Sequence, residues 1–172
     1  MRSKTLLLFL IFFASALSLN CQTKAVNEKV KPCKFLSFAD AEKILGQTVE
    51  LVTNSWNFAD DKSKFGCTYR SIEKDEASGR EINLFFTLEE SSTEEQGEKI
   101  YEDIWNSNKN RAGIEVLSGI GDEAYSHSDK PNFHFIMARK GKFTIRLKIN
   151  KAVETTSLKE LKAFAKKVAE QV

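Results

Sequence analysis

A chain of 172 residues, 41% of them hydrophobic and 29% charged, can bury one respectable core and little more. Its 26 Lys and Arg stand against 24 Asp and Glu, a near-neutral and well-mixed balance that excludes a general electrostatic pull on nucleic acid. Arg2 and Lys4 supply the whole excess, so the chain beyond residue 20 carries 24 charges of each sign.

Arg2 and Lys4 precede the apolar run 6–14 (LLLFLIFFA), which gives way to small and polar residues. A positive flank, a short apolar segment and a small-residue exit describe a bacterial export signal over residues 1–20. The run falls short of the about 20 apolar residues that a membrane-spanning helix needs. Cys21 follows directly on Leu17-Ser18-Leu19-Asn20. That order resembles the lipobox of bacterial lipoproteins, although Asn20 stands where the family pattern favours Gly, Ala or Ser. The resemblance implies that Cys21 becomes the acylated first residue of the mature chain, held on a membrane by about 0.8 kcal/mol for each buried CH2. The expected location is the envelope, facing the periplasm or the cell surface, with the outer membrane as the expected carrier. The competing reading is ordinary cleavage nearby, which leaves Cys21 as a spare thiol.

With Cys21 acylated, Cys33 and Cys67 remain in an exported protein, where disulfides form and persist. A bridge between them closes a loop of about 35 residues and contributes roughly 3–4 kcal/mol in the chain-entropy account. Metal binding is the weaker alternative, because two cysteines without a nearby third or fourth soft ligand make a poor zinc site.

Residues 22–32 (QTKAVNEKVKP) are polar, charged and aperiodic, and read as a tether reaching at most about 35–40 Å. The globular domain is expected over residues 33–172. Ser37-Phe38-Ala39-Asp40 is a capping-box variant opening a helix whose face carries Phe38, Ala41, Ile44 and Leu45, and Gly46 ends it. A β-branched strand follows at 48–53. Residues 54–64 form a polar loop carrying Trp56 and Phe58. A second strand at 66–70 places Cys67 and Tyr69 on one face. In the third, Ile82, Leu84, Phe86 and Leu88 alternate with Asn83, Phe85 and Thr87, as a sheet with one buried face requires.

Ser92-Thr93-Glu94-Glu95 opens a second helix, with Ser92 as cap and Glu95 bonding back, and Ile100, Ile104 and Trp105 as its apolar stripe. Strands follow at 114–117, 125–127 and 132–138, and Lys140-Gly141 reads as a hairpin turn. Phe143, Ile145, Leu147 and Ile149 then alternate with Thr144, Arg146 and Lys148. Ser157 caps a closing helix lined by Leu161, Phe164, Ala165, Val168 and Val172, with its lysines facing water. The order α-β-β-β-α-β-β-β-β-α, with strands in runs joined by short turns, predicts an α+β fold. It is an antiparallel sheet of about six to seven strands with three helices packed on it.

Gly119-x-Gly121-x-x-Ala124 matches the letters of a dinucleotide fingerprint, but that motif works only where a helix leaves the turn. Here a strand follows, and Asp122 and Glu123 put negative charge where a phosphate would sit. Gly119 and Gly121 are therefore read as a structural turn. A cysteine before the first helix, Cys67-Thr68-Tyr69, the stretch 119–125 (GIGDEAY), 139–143 (RKGKF) and the closing amphipathic helix together resemble a group of small bacterial lipoproteins of unknown function. They also resemble the extracellular sensor domain of a mycobacterial serine/threonine kinase. The resemblance implies an α/β sandwich of the Mog1/PsbP type, with a ligand cleft in some members and no catalytic residues to carry over. With two cysteines in its head, this chain lacks any second bridge that relatives hold.

Candidate sites are few. His127, Asp129 and His134 lie close along a hairpin and offer two imidazoles and a carboxylate to a divalent ion, but without a recognised ligand spacing. An exposed structural role is the stronger expectation for them. No serine sits in a nucleophile elbow. Asp122 and Glu123, as neighbours on a strand, are expected to face opposite ways. Trp56 and Phe58 are candidate partner contacts, against the alternative that they fold back over the sheet edge. Arg146 and Lys148 read as the solvated side of their strand. No enzyme, cofactor or metal is expected. The expected function is a non-enzymatic binding or sensing module of the envelope, with a protein, glycan or lipid as partner. The alternatives are an accessory subunit of an envelope complex and, remotely, a metal-dependent hydrolase.

Overall fold

The computed structural model describes residues 33, 35–53 and 64–172; Cys21, the tether, Trp56 and Phe58 lie outside the described residues. The elements are α1 (Phe38–Leu45), β1 (Val49–Thr53), β2 (Lys64–Ser71), β3 (Asn83–Glu90), α2 (Glu94–Asn108), β4 (Ile114–Val116), β5 (Glu123–Asp129), β6 (Phe133–Lys140), β7 (Phe143–Ile149) and α3 (Leu158–Ala169). This is the α+β order expected. All seven strands join one antiparallel sheet in the order β1-β2-β3-β7-β6-β5-β4. Two meanders, one from each half of the chain, therefore meet at β3 and β7. The strand that opens each half, β1 or β4, is left at an edge.

Strand alternation divides the sheet into two faces. On the inner face, Leu84, Phe86, Ile136, Ile145 and Leu147 are all but inaccessible, and they pack with Leu45 of α1 and Leu161, Phe164 and Val168 of α3 in one core. Period-two geometry sends their neighbours Tyr125 and Met137 to the outer face. There α2 covers them with Tyr101, forming a second and smaller core. Each fully buried Leu, Ile or Phe contributes roughly 1.5–3 kcal/mol, which makes the inner face the main source of stability.

The helix ends are satisfied locally. Ser37 and Asp40 complete a capping box on α1, and Gly46 closes it in the left-handed region at φ 71°. Phe38 departs from its expected place: it is 43% exposed and rests edge-on against the Tyr69 ring. In α2 the cap is one residue later than expected. Thr93 accepts from the Gln96 amide at 3.2 Å, while the Gln96 side chain accepts from the Ser92 amide at 3.1 Å. The buried line of α2 is Gly97 and Tyr101, with Ile100, Ile104 and Trp105 half-buried beside it. Cys33 and Cys67 stand with their sulfurs at disulfide distance and their Cα atoms 6.1 Å apart, tying the start of the head to β2.

Candidate binding surface at the fourth strand

The β4–β5 connection is built around two glycines. Gly119 and Gly121 take φ of 73° and 61°, which folds the intervening Ile120 down into the inner core. The turn is pinned at both ends, by the Leu117 amide donating to the Ala124 carbonyl at 2.9 Å and the Asp122 amide donating to the Arg139 carbonyl at 2.8 Å. The chain passes so close to β6 that a Cβ on Gly121 would overlap the Arg139 carbonyl oxygen, whereas Gly119 faces open space. A strand leaves the turn, not a helix, so no helical N–H groups converge there.

Arg139 is the electrostatic hub of this region. Its side chain is 8% exposed, and its Nε donates to Glu123 at 2.9 Å. Its Nη1 reaches Asp122 at 3.4 Å, the Gly141 carbonyl at 3.1 Å and Glu94 at 3.6 Å. Burial opposes the guanidinium charge, but the hydrogen bond and charge of Glu123 and the charge of Asp122 outweigh it and raise the Arg139 pKa. Asp122 also accepts from Lys140 at 2.8 Å and from the Gly141 amide at 2.7 Å. These bonds hold its carboxyl below the ordinary carboxylate range. The expectation that Asp122 and Glu123 face opposite ways is therefore corrected. Asp122 precedes β5 and follows a left-handed glycine, so strand alternation does not apply to it, and both carboxylates meet one guanidinium.

Beside this hub, between α2 and the β4–β5 turn, lies an open groove of about 490 Å3. Tyr101 and Trp105 of α2 and Val116 of β4 give it an apolar wall, and Glu102, Asp122 and Glu123 give it an acidic one. The Trp105 and Tyr101 rings pack on Tyr125, with centroids 5.2 and 6.0 Å away, so the wall stands on the outer core. Burial, followed by the charge of Glu123, raises the Tyr101 phenol above its ordinary pKa, which keeps the hydroxyl a neutral hydrogen-bonding group. On the other side of β4, a groove of about 400 Å3 runs along Leu117, Gly119 and Ile120 to Lys162, Ala163 and Lys166 of α3. Val116 is 70% exposed, the most exposed of the large apolar side chains among the described residues. Neither groove was visible in the sequence, although Tyr101 and Trp105, four apart on one helix, carried a signal; the apolar-stripe reading took Trp105 with Ile100 and Ile104 and left Tyr101 out.

The histidines do not converge. His127 pairs across the sheet with Phe135 on the outer face and stacks edge-on against Phe133, with centroids 4.8 Å apart. His134 belongs to the inner face, is 2% exposed and shares a 2.8 Å hydrogen bond between its Nδ1 and the Ser128 hydroxyl. Two side chains on opposite faces of one sheet cannot ligate a single ion. The exposed role expected for His134 is also corrected, and burial lowers its pKa. Among the described residues no cluster of three His, Cys, Asp or Glu side chains suits a metal. Arg146 is less solvated than expected, since it reaches Glu89 at 2.9 Å and its Nε is buried without a partner, while Lys148 is exposed above the Phe133 ring. No helix among the described residues is long and apolar enough to cross a membrane. No family model, curated protein or solved structure matches the chain.

Proposed function

We propose that this chain is a lipid-anchored protein of the bacterial envelope whose head is a binding module and not a catalyst. The anchor rests on the export-type segment 1–20 running directly into Cys21. The cysteine pair at disulfide distance fits an oxidising compartment. The observation that carries the binding reading is the open groove at β4, which half-buried Trp105 and exposed Val116, backed by the buried Tyr101 ring, line from a helix and a strand and not from a loop. Rigid aromatic walls of this kind supply contact area at little cost in conformational entropy.

The accessory-subunit reading draws on the same place, because an exposed edge strand with a largely bare valine also suits a permanent interface. Full-length protein expressed in a bacterium fed a clickable palmitate analogue tests the anchor. Wild type is expected in the membrane pellet with label, and Cys21→Ser in the soluble fraction without it. Crosslinked capture from the same membranes, compared between wild type and Trp105→Ala, tests the groove. A stable stoichiometric partner would favour the subunit reading, whereas unlabelled, freely released wild-type protein would sink the anchor. Substrate turnover abolished by one side-chain replacement would end the claim that the head only binds.

A further inference from the structure

The strand β4 closes one edge of the sheet with half of its backbone unused. The Leu117 amide and the Gly113 carbonyl both bond to β5, at 2.9 Å each, and Glu115 sits between them opposite Ser126. Antiparallel ladders alternate inward and outward groups residue by residue, so Ile114 and Val116 present their amides and carbonyls outward. The other edge differs: the pairing of β1 shifts register between Leu51 and Thr53, an irregularity that blunts an edge. Most charges flanking β4 are paired within the chain. Glu115 meets Lys162 at 2.7 Å, Asp122 meets Lys140 at 2.8 Å and Glu123 meets Arg139 at 2.9 Å. Two exposed charges near the strand, Glu102 on the groove wall and Arg111 just ahead of β4, form no ion pair among the described residues.

We propose that β4 pairs antiparallel with the β4 of a second copy of this chain, about a two-fold axis through Glu115, and joins two sheets into one. With the axis there, Ile114 of one copy faces Val116 of the other and exchanges both backbone bonds with it, once on each side. The strand is apolar where this register needs it. Val116, 70% exposed in the single chain, comes to lie against Ile114 of the other copy, on the face where Trp105 stands. On the opposite face Glu115 meets Glu115, but each carboxylate arrives with its own Lys162, so two neutral pairs meet and not two bare charges. Beyond the strand the same register sets residue 111 of one copy beside residue 119 of the other. Gly113, left-handed at φ 80°, breaks the alternation there and frees the Arg111 side chain from the Glu115 face. Glu102 lines its groove with Leu117 and Asp122, at that same end of β4. The axis therefore brings Arg111 of each copy toward Glu102 of the other, a charge match made twice, which selects a second copy over an unrelated strand. Helix α2 leaves room for it, because it packs on Tyr125 and Met137 of β5 and β6, back from the edge. The pairing is independent of what the module binds.

The test is self-association of the full-length protein in mild detergent, followed by detergent-corrected sedimentation from low micromolar to millimolar protein. A contact this short is expected to give a dimer that grows with concentration, and anchorage in one membrane raises that concentration. Val116→Pro removes an outward amide on both sides of the axis without touching the β5 ladder and should weaken association at least about tenfold. Arg111→Glu and Glu102→Arg should each weaken it at least about threefold by setting like charges opposite, and an equimolar mixture of the two should regain wild-type association as a heterodimer. Glu115→Cys, on the axis, should crosslink to its copy under mild oxidation, whereas Ser118→Cys should not. Amide exchange unchanged in β5 and β6 shows that the variants keep the fold. A chain monomeric throughout, a dimer indifferent to Val116→Pro, no Glu115→Cys crosslink, or charge variants that mix without recovery overturns the proposal. A dimer lost in Cys21→Ser and kept in Val116→Pro overturns it in favour of pairing through the anchor. A different protein whose capture is lost in Val116→Pro, with no dimer formed, overturns it in favour of a foreign strand.

Discussion

Replacing each turn glycine by alanine separates backbone conformation from backbone contact. Both positions lie in the left-handed region, at φ of 73° for Gly119 and 61° for Gly121, so either alanine meets a left-handed penalty of roughly 1–2 kcal/mol. About 0.4–1 kcal/mol of that is offset because alanine stiffens the unfolded chain. Gly119→Ala should therefore cost about 1 kcal/mol, since its Cβ meets nothing within 4 Å. Gly121→Ala carries the same penalty and also drives a methyl group into the Arg139 carbonyl, which is backbone held in β6 and accepting from Asp122. Moving packed backbone costs about 1–3 kcal/mol, and losing the Asp122 hydrogen bond about 1 more, for a total near 3–5 kcal/mol. With a urea slope of about 1.5 kcal/mol per molar, the two midpoints should differ by roughly 1.3–2.7 M. Midpoints within about 0.3 M of each other would show that the turn does not press on β6, and the hub around Arg139 would lose its physical basis.

Reducing the Cys33–Cys67 pair, or replacing both by alanine, should cost about 2–4 kcal/mol, read as a reductant-dependent drop in the urea midpoint. Asp122 has its carboxyl pKa depressed by Lys140 and Gly141, so its contribution is present above the unfolded value of about 3.9 and fades as pH falls through the lower folded value. Asp122→Asn should flatten that stretch of the acid-denaturation profile, and an unchanged profile would count against the bond network. His134 also has a depressed folded pKa, but as a base: its contribution is intact above about 6.5 and is lost progressively as pH falls below that value toward the folded pKa. The stability of His134→Gln should therefore change less than wild type between about pH 6.5 and 5. Arg139→Met leaves Glu123 and Asp122 without their common partner and should destabilise by about 2–3 kcal/mol, discounted from the buried-pair range because both carboxylates are partly exposed. Thermal unfolding checks this, at about 3–5 °C per kcal/mol.

The element order was legible because each element announces its own period. Leu84, Phe86 and Leu88 alternate as one buried face must, and Leu161, Phe164, Ala165 and Val168 return at helical spacing. Boundaries and faces were less so. Thr93 and Ser92 are both competent caps, and only the three-dimensional path of the chain out of β3 chose between them. Phe38 looks like core because a helical wheel shows which residues share a face and not how much of that face is covered. His127 and His134 look like neighbours because seven residues is a short distance along a hairpin, yet crossing its turn put them on opposite faces. In each case the missing information is which surface lies opposite the residue, and a one-dimensional period does not carry it.

The binding surface was illegible for a deeper reason. Its parts come from α2, β4, the glycine turn, β6 and α3, and what makes them one surface is the order of the strands. Had β4 been placed inside the sheet, Val116 would be core and the two grooves would be filled by a neighbouring strand. Because the two meanders join through β3 and β7, β4 is left outermost, with α2 on one face and α3 on the other. A helix on each face stands about 10 Å from the sheet plane and cannot wrap round a bare edge. The edge consequently keeps a slot above and a slot below, each walled by its own helix, and on the α3 side Glu115 and Lys162 pair at 2.7 Å across the slot. The same topology that buries the inner core so completely therefore also leaves one strand, with Val116 on it, at a bare edge between two helices.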